Sequence, residues 1–148
     1  MILRIAQRLP TCDEYNMLRQ RCGWRIYDPE IATKALASSL FCVVAEGSNG
    51  EAVGMGRLIG DGHIYVHVQD VLVIPEFQRM GVGRRIMDEI FGWLDKNVAD
   101  NTNIGLFASK GRENFYRAFG FQDRPNEKFG SGMMITKRDI IKRSFSQA

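Results

Sequence analysis

Apolar residues alternate between two periods along this chain, and the changes of period divide it into elements. Residues 1–7 read as a first strand. Pro10, Thr11 and Asp13 then supply start signals for a helix reaching about residue 21. A second helix follows Asp28 and Pro29, with Ile31, Ala35, Leu36 and Leu40 near helical spacing. The run LFCVVA from residue 40 reads as a buried strand, and SNG at 48–50 turns the chain into another strand that continues through Ile59. Gly60, Asp61, Gly62 and His63 turn it again into the longest strand, residues 64–74, which Pro75 ends because proline cannot donate a ladder hydrogen bond.

From residue 81 to 94 the spacing of Val82, Ile86, Ile90, Phe91 and Trp93 or Leu94 predicts an amphipathic helix with its back on the sheet. A strand is expected at 104–108 and a short helix at 112–119, stopped by Gly120. Two last strands are expected at 121–123 and 133–136. Strands, a crossover helix and more strands make a mixed α+β fold.

A chain of 148 residues suits one domain, and no linker or repeat divides it, so a single domain over 1–136 and a basic tail over 137–148 are expected. The apolar runs are interrupted by His67, Gln69 and Asp70 and never approach the roughly 20 residues of a membrane span, so no membrane partner is expected. Arg4, Gln7 and Arg8 leave no apolar signal segment in the opening residues, and a cytoplasmic protein is the expectation.

Cys12, Cys22 and Cys42 form an odd set without a CxxC pair, which argues against a disulfide framework and a zinc site. His63 and His67 have a helical metal spacing but lie in the strand-like run HIYVHVQDVLVI, so no metal is expected. The net charge of +3 is modest, and its basic residues form no continuous block. Nucleic acid is therefore not an expected partner.

The chemistry concentrates in VLVIPEFQRMGVGRRIMDEI, residues 71–90. A strand runs through a short glycine loop directly into a helix, whose first turn offers unpaired N–H groups and the positive end of its dipole to a diphosphate. A P-loop needs Lys and Ser or Thr after its last glycine, whereas Arg84 and Arg85 follow Gly83. A dinucleotide fingerprint needs a third glycine where Ile86 stands. A bare tight turn explains two glycines but not the glutamine and three arginines beside them.

Gln78, Gly81 and Gly83 match the Q/R-x-x-G-x-G/A signature of the GNAT superfamily of acyl-CoA-dependent N-acetyltransferases, and YRAFGF at 116–121 fits that family's Y-x-x-x-G-F. The chain resembles this family from residue 1 to about 136. The resemblance implies a three-layer sandwich with a mixed sheet of six or seven strands, splayed central strands and about four helices. It implies acetyl-CoA as co-substrate, a primary amine as acceptor, direct attack in a ternary complex, and no metal. It also allows a homodimer.

Residue by residue, the resemblance implies that main-chain N–H groups across Arg79, Met80, Gly81, Val82, Gly83 and Arg84 hold the pyrophosphate. Leu72 and Val73, with Val71 beside them, pair with pantetheine as an added strand. Arg84, Arg85, Lys110 and Arg112 are candidates for the 3′-phosphate. Tyr116 matches the tyrosine that protonates the leaving thiolate. Ser109 stands where many members carry an asparagine that bonds pantetheine, and Asn114 lies five residues further on.

A general base is sought because an amine of pKa about 10.4 is neutral in only about one molecule in a thousand near pH 7.4. His67, at the strand position where some members place a glutamate, and Asp70 are the candidates, with a water chain as the residual option. Trp24, Tyr27, Phe41, Tyr65, Phe129 and Met133 are candidate acceptor-pocket residues, and Asp61 and Glu127 candidate attractors of a cation. The rival reading is a non-catalytic acetyl-CoA-binding sensor or partner module, which keeps the glycine loop and dispenses with Tyr116.

Overall fold

The structure, a computed structural model, describes residues 3–140. The expected tail cations Lys142 and Arg143 lie outside the described residues. The chain forms two compact units that meet in sequence between Leu106 and Phe107.

In the first unit, Thr11 caps helix α1 (Cys12–Arg21) by accepting from the Glu14 N–H, while the Glu14 carboxylate accepts from the Thr11 N–H. Arg8 grips the same carboxylate with two bonds of 2.8 and 2.9 Å, holding it down to about 2. Helix α2 (Pro29–Ala37) starts at Asp28, whose carboxylate accepts from Glu30 and Ile31. It is shorter than the spacing predicts. Ser38 ends it, and Leu40 already donates to the Leu58 carbonyl at 2.7 Å, so Leu40 belongs to the sheet margin. The buried face is Ala32 and Leu36, with Ile31 in solvent.

Strands β1 (Arg4–Ala6), β2 (Phe41–Glu46), β3 (Ala52–Gly60) and β4 (Tyr65–Val73) form an antiparallel meander, and β5 (Asn103–Gly105) joins β4 in parallel. The Asp61 carboxylate makes the β3–β4 turn by accepting the N–H groups of His63, Ile64 and Tyr65, which lowers its pKa. The parallel pair requires a crossover, and helix α3 (Val82–Asn97) provides it. Its buried positions Val82, Ile86, Met87, Ile90 and Leu94 follow one stripe, as the spacing predicts. Phe91 and Trp93 are half-buried at the margin, where Trp93 stacks on Phe41 at 5.5 Å.

Successive β3 residues assign the layers. A side chain at Gly56 would meet Ile86 and Ile90 of α3, whereas Arg57 reaches the Ala35 carbonyl of α2 and Asp70, which Arg19 of α1 also binds. Since neighbouring strand residues point to opposite faces, α3 covers one face and α1 with α2 the other. The three-layer α+β expectation holds, with five strands among the described residues in place of six or seven.

Both terminal strands expected from the sequence are absent from the second unit. At 121–123, Arg117 holds Asp123 with a two-bond fork, and Asn126 takes the Asp123 carbonyl. With the Phe121 N–H donating to the Tyr116 carbonyl at 3.3 Å and the Asp123 carbonyl bound by Asn126, local turns take main-chain groups that a strand would pair. At 133–136, Thr136 instead begins a helical turn by accepting from the N–H groups of Asp139 and Ile140. The β5 strand likewise ends at Gly105 rather than at residue 108. Helix α4 (Glu113–Arg117) is the core of the helix expected over 112–119, and Gly120 follows at φ 97°, a left-handed stop that favours glycine.

Candidate active site

The longest strand contains an irregularity. Met55 faces Leu72 and Arg57 faces Gln69, so Asp70 and Val71 together stand opposite Gly56 as a β-bulge. Asp70 takes the left-handed conformation, φ 53°. Its side chain consequently lies on the same face as that of Gln69, whose amide approaches it at 3.4 Å.

The Asp70 carboxylate is buried and fully engaged. Oδ1 accepts from Arg19 Nη1 at 2.7 Å; Oδ2 accepts from Arg57 Nε at 2.8 Å and the Tyr15 hydroxyl at 2.8 Å. Burial, then the negative charge of Asp70, pushes the Tyr15 phenol up to about 12. With both oxygens committed to three side chains from two elements, α1 and β3, the Asp70 carboxylate ties those elements to β4. Arg19 is held further by the Arg25 carbonyl at 2.6 Å and lies over the rings of Tyr15, Trp24 and Tyr27. Sequence reasoning overlooks Tyr15, Arg19 and Arg57. Arg57, a lone cation inside GMGRLIG, is the signal that it passes over.

Beyond the bulge the outward edge of β4 opens, because the parallel pairing with β5 covers Tyr65, Val66 and His67 alone. The Ile74 N–H donates to the Val53 carbonyl at 2.9 Å, so Ile74 and, two residues back, Leu72 turn their main-chain groups toward β3. The carbonyl of Val71 and the N–H and carbonyl of Val73 therefore face away from β3. In this alternation Val71 and Val73 present the outward edge, and the main-chain groups of Leu72 face β3. The Val73 carbonyl already accepts from Gln78 Nε2 at 2.8 Å and from the Cys22 thiol at 3.4 Å.

After Ile74 a 3-10 turn, Pro75–Phe77, delivers Gln78 beneath the strand end. Arg79 at φ 62° and Gly81 at φ 79° reverse the chain, with the Met80 side chain exposed between them. Buried Val82 anchors the start of α3. The first helical bond, Arg85 N–H to the Gly81 carbonyl at 3.1 Å, leaves the amides of Val82, Gly83 and Arg84 in the first turn ahead of it. No side chain caps this end, and the turn carries no acidic residue. A helix start of this form accommodates an anion.

Of the base candidates, His67 lies on β4 opposite Ile59 and Gly105. Burial lowers its pKa, and a bond with Gln69 partly restores it. Its imidazole is thus biased toward the neutral form that accepts a proton. Among the candidate acceptor residues, Trp24 and Tyr27 pack on Arg19, Phe41 stacks on Trp93, and Tyr65 is exposed. Asp61 serves the β3–β4 turn.

In the second unit, Tyr116 sits on α4 with its ring edge-on to Phe115 and Phe121, at 5.0 and 6.1 Å. Burial raises its phenol pKa against the opposing influence of Arg112, so the hydroxyl stays protonated at neutral pH. The Ser109 carbonyl accepts from the Arg112 N–H at 2.9 Å, and Asn114 is bound to Arg117. Phe129 lies under Arg124 and Lys128, while Met133 is 88% exposed.

The chain is similar to known proteins both in sequence and in fold. The family model described as an acetyltransferase (GNAT) domain matches residues 37–123. A probable acetyltransferase of unknown function from meticillin-resistant Staphylococcus aureus superposes with a TM-score of 0.82 at 30% identity, covering 91% of this chain and 99% of that one. GCN5-related N-acetyltransferase 3, chloroplastic, of Arabidopsis thaliana is 35% identical over 91 residues, 61% of this chain and 36% of that protein. Serotonin N-acetyltransferase 2, chloroplastic, of Oryza sativa subsp. japonica is 34% identical over 97 residues, 65% of this chain and 47% of that protein. The chain belongs to the GNAT acetyltransferase family. Its match spans 36% and 47% of the length of these two curated relatives.

Proposed function

We propose that this chain transfers the acetyl group of acetyl-CoA to a primary amine by direct attack in a ternary complex. The observation that carries the reading is the junction of an open strand edge, at Val71 and Val73, with the uncapped start of α3. An amide-bearing pantetheine arm suits the first, and a diphosphate suits the second.

In this reading the amides from Arg79 to Arg84 bind the pyrophosphate, and Val71 and Val73 orient the arm. Gln78 holds the loop against the strand by donating one amide N–H to the Val73 carbonyl. Ser109 supplies one hydrogen bond to the arm. Tyr116, protonated at neutral pH, returns a proton to the departing thiolate. His67 takes the amine proton, directly or through water, and Asp70 leaves the list of bases because three donors occupy its carboxylate.

The test is calorimetric titration with acetyl-CoA, followed by a thiol-release assay over a panel of small amines, polyamines and peptide N-termini. Binding with amine-dependent release of CoA is the expected result. Binding without release for any amine makes the chain a non-catalytic acetyl-CoA module, and no heat at millimolar ligand removes both readings.

A further inference from the structure

The β4 bulge is more than an irregularity of pairing, because the side chain that creates it is tied down from three directions. A left-handed conformation is disfavoured for an L-residue, although Asp tolerates it better than most. At Asp70, φ 53°, that conformation is found where the carboxylate is almost wholly buried and bound by Tyr15 and Arg19 of α1 and by Arg57 of β3. Arg57 is itself tethered to the Ala35 carbonyl and Ser39 Oγ, and Arg19 to the Arg25 carbonyl. The clamp therefore joins both covering helices to one strand residue.

The bulge decides which main-chain groups β4 presents. A regular strand in this place would pair Asp70 with Gly56 and carry Val71, Leu72 and Val73 into a register displaced by one residue. That displacement exchanges inward for outward groups, so the Val71 carbonyl and the Val73 N–H would turn to β3. The Val73 carbonyl would then leave the Gln78 side chain.

Resting on the acetyl-CoA reading above, we propose that Asp70 is a positioning residue for the acetyl donor. Its clamp by Tyr15, Arg19 and Arg57 holds the strand in the register that offers Val71 and Val73 to the pantetheine arm. Asp70 acts on the donor through the backbone and not on the acceptor or the transferred proton. Its loss consequently raises KM for acetyl-CoA and leaves kcat and the acceptor KM in place. A variant that is merely less stable behaves otherwise, lowering the active fraction and apparent kcat at constant KM.

The experiment uses the full chain, with Asp70→Asn and Tyr15→Phe compared with wild type below each variant's melting temperature. Asparagine tolerates the left-handed conformation but withdraws the charge, while Tyr15→Phe removes one donor without stranding an ion. CoA affinity by calorimetry and steady-state KM values are read together. The expected result is roughly tenfold weaker CoA binding for Asp70→Asn and about two- to threefold for Tyr15→Phe, with a parallel rise in acetyl-CoA KM only.

If Asp70→Asn does not fold, Tyr15→Phe decides. A folded Tyr15→Phe with wild-type CoA affinity and KM overturns the positioning role, as does a folded Asp70→Asn that matches wild type. Failure of the underlying functional reading is told apart from this, because the wild-type protein itself then gives no heat with CoA.

Discussion

Gln78 Nε2 donates to the Val73 carbonyl at 2.8 Å, so the side chain that opens the glycine loop is bonded to the end of the strand that precedes it. That bond ties the loop to the strand edge. Removing the donor with Gln78→Ala is expected to cost about 1 kcal/mol, a fall of roughly 2–4 °C in Tm for a chain of this size. Gln78→Glu should be worse than alanine, since it sets a carboxylate against a carbonyl. Thermal denaturation and CoA calorimetry check both, and a stability of Gln78→Glu equal to wild type counts against the bond.

Gly56 has no room for a side chain. An added Cβ would lie 2.7 Å from Ile86 Cγ2 and 3.0 Å from Ile90 Cδ1, and the Ile86 methyl sits too close to its own backbone to swing away. Helix α3 would have to lift from the sheet, carrying the start of the helix with it. Gly56→Ala is expected to destabilise by about 1–3 kcal/mol, read as a lower urea midpoint at an unchanged slope.

The Arg8–Glu14 pair predicts an acid limb of stability. Its folded carboxyl, held at about 2 chiefly by the Arg8 hydrogen bonds, lies below its ordinary value of 4.5. The unfolded chain therefore binds this proton first as pH falls. The stabilisation is complete above about 4.5 and is lost as pH falls toward 2. Glu14→Gln should remove that share of the pH dependence, visible as a shallower fall of Tm between pH 6 and 2 than wild type shows.

Tyr116→Phe tests the acid step. With a raised pKa the phenol is protonated throughout the neutral range, so the variant should lose about 100-fold in kcat with little change in acetyl-CoA KM. In the same assay His67→Ala should abolish an acidic limb lying below the ordinary histidine value of about 6.5, the direction in which burial moves this imidazole. Wild-type kcat in Tyr116→Phe removes the tyrosine from the mechanism, and an unchanged acidic limb removes the histidine.

Much of the first unit was legible because its signals are local. Thr11 with Glu14, Asp28 with Pro29, the GDGH turn and the stripe from Val82 to Leu94 each act within a few residues of themselves. The same holds for Gln78, Gly81 and Gly83, whose spacing identified the loop. The second unit was read less well. Phe121–Asp123 and Met133–Thr136 have strand-like composition, yet the Arg117–Asp123 fork, the Asn126 bonds and the Thr136 cap occupy them with short-range contacts that hydropathy does not register.

What the residues determined by themselves is the succession of helices, strands and turns in the first unit, together with the glycine loop, because periodicity, caps and glycine conformations depend on near neighbours in the chain. The tertiary structure alone decided that the Asp70 carboxylate is bound by Tyr15, Arg19 and Arg57, and that the main-chain groups of Val71 and Val73 face away from β3 while those of Leu72 face it. Those facts depend on Arg19, Arg57 and Tyr15 converging from 13 to 55 positions away and on a strand register shifted at one bulge. Electrostatic partnership and pairing register are set by distance in space, which chain order does not encode locally.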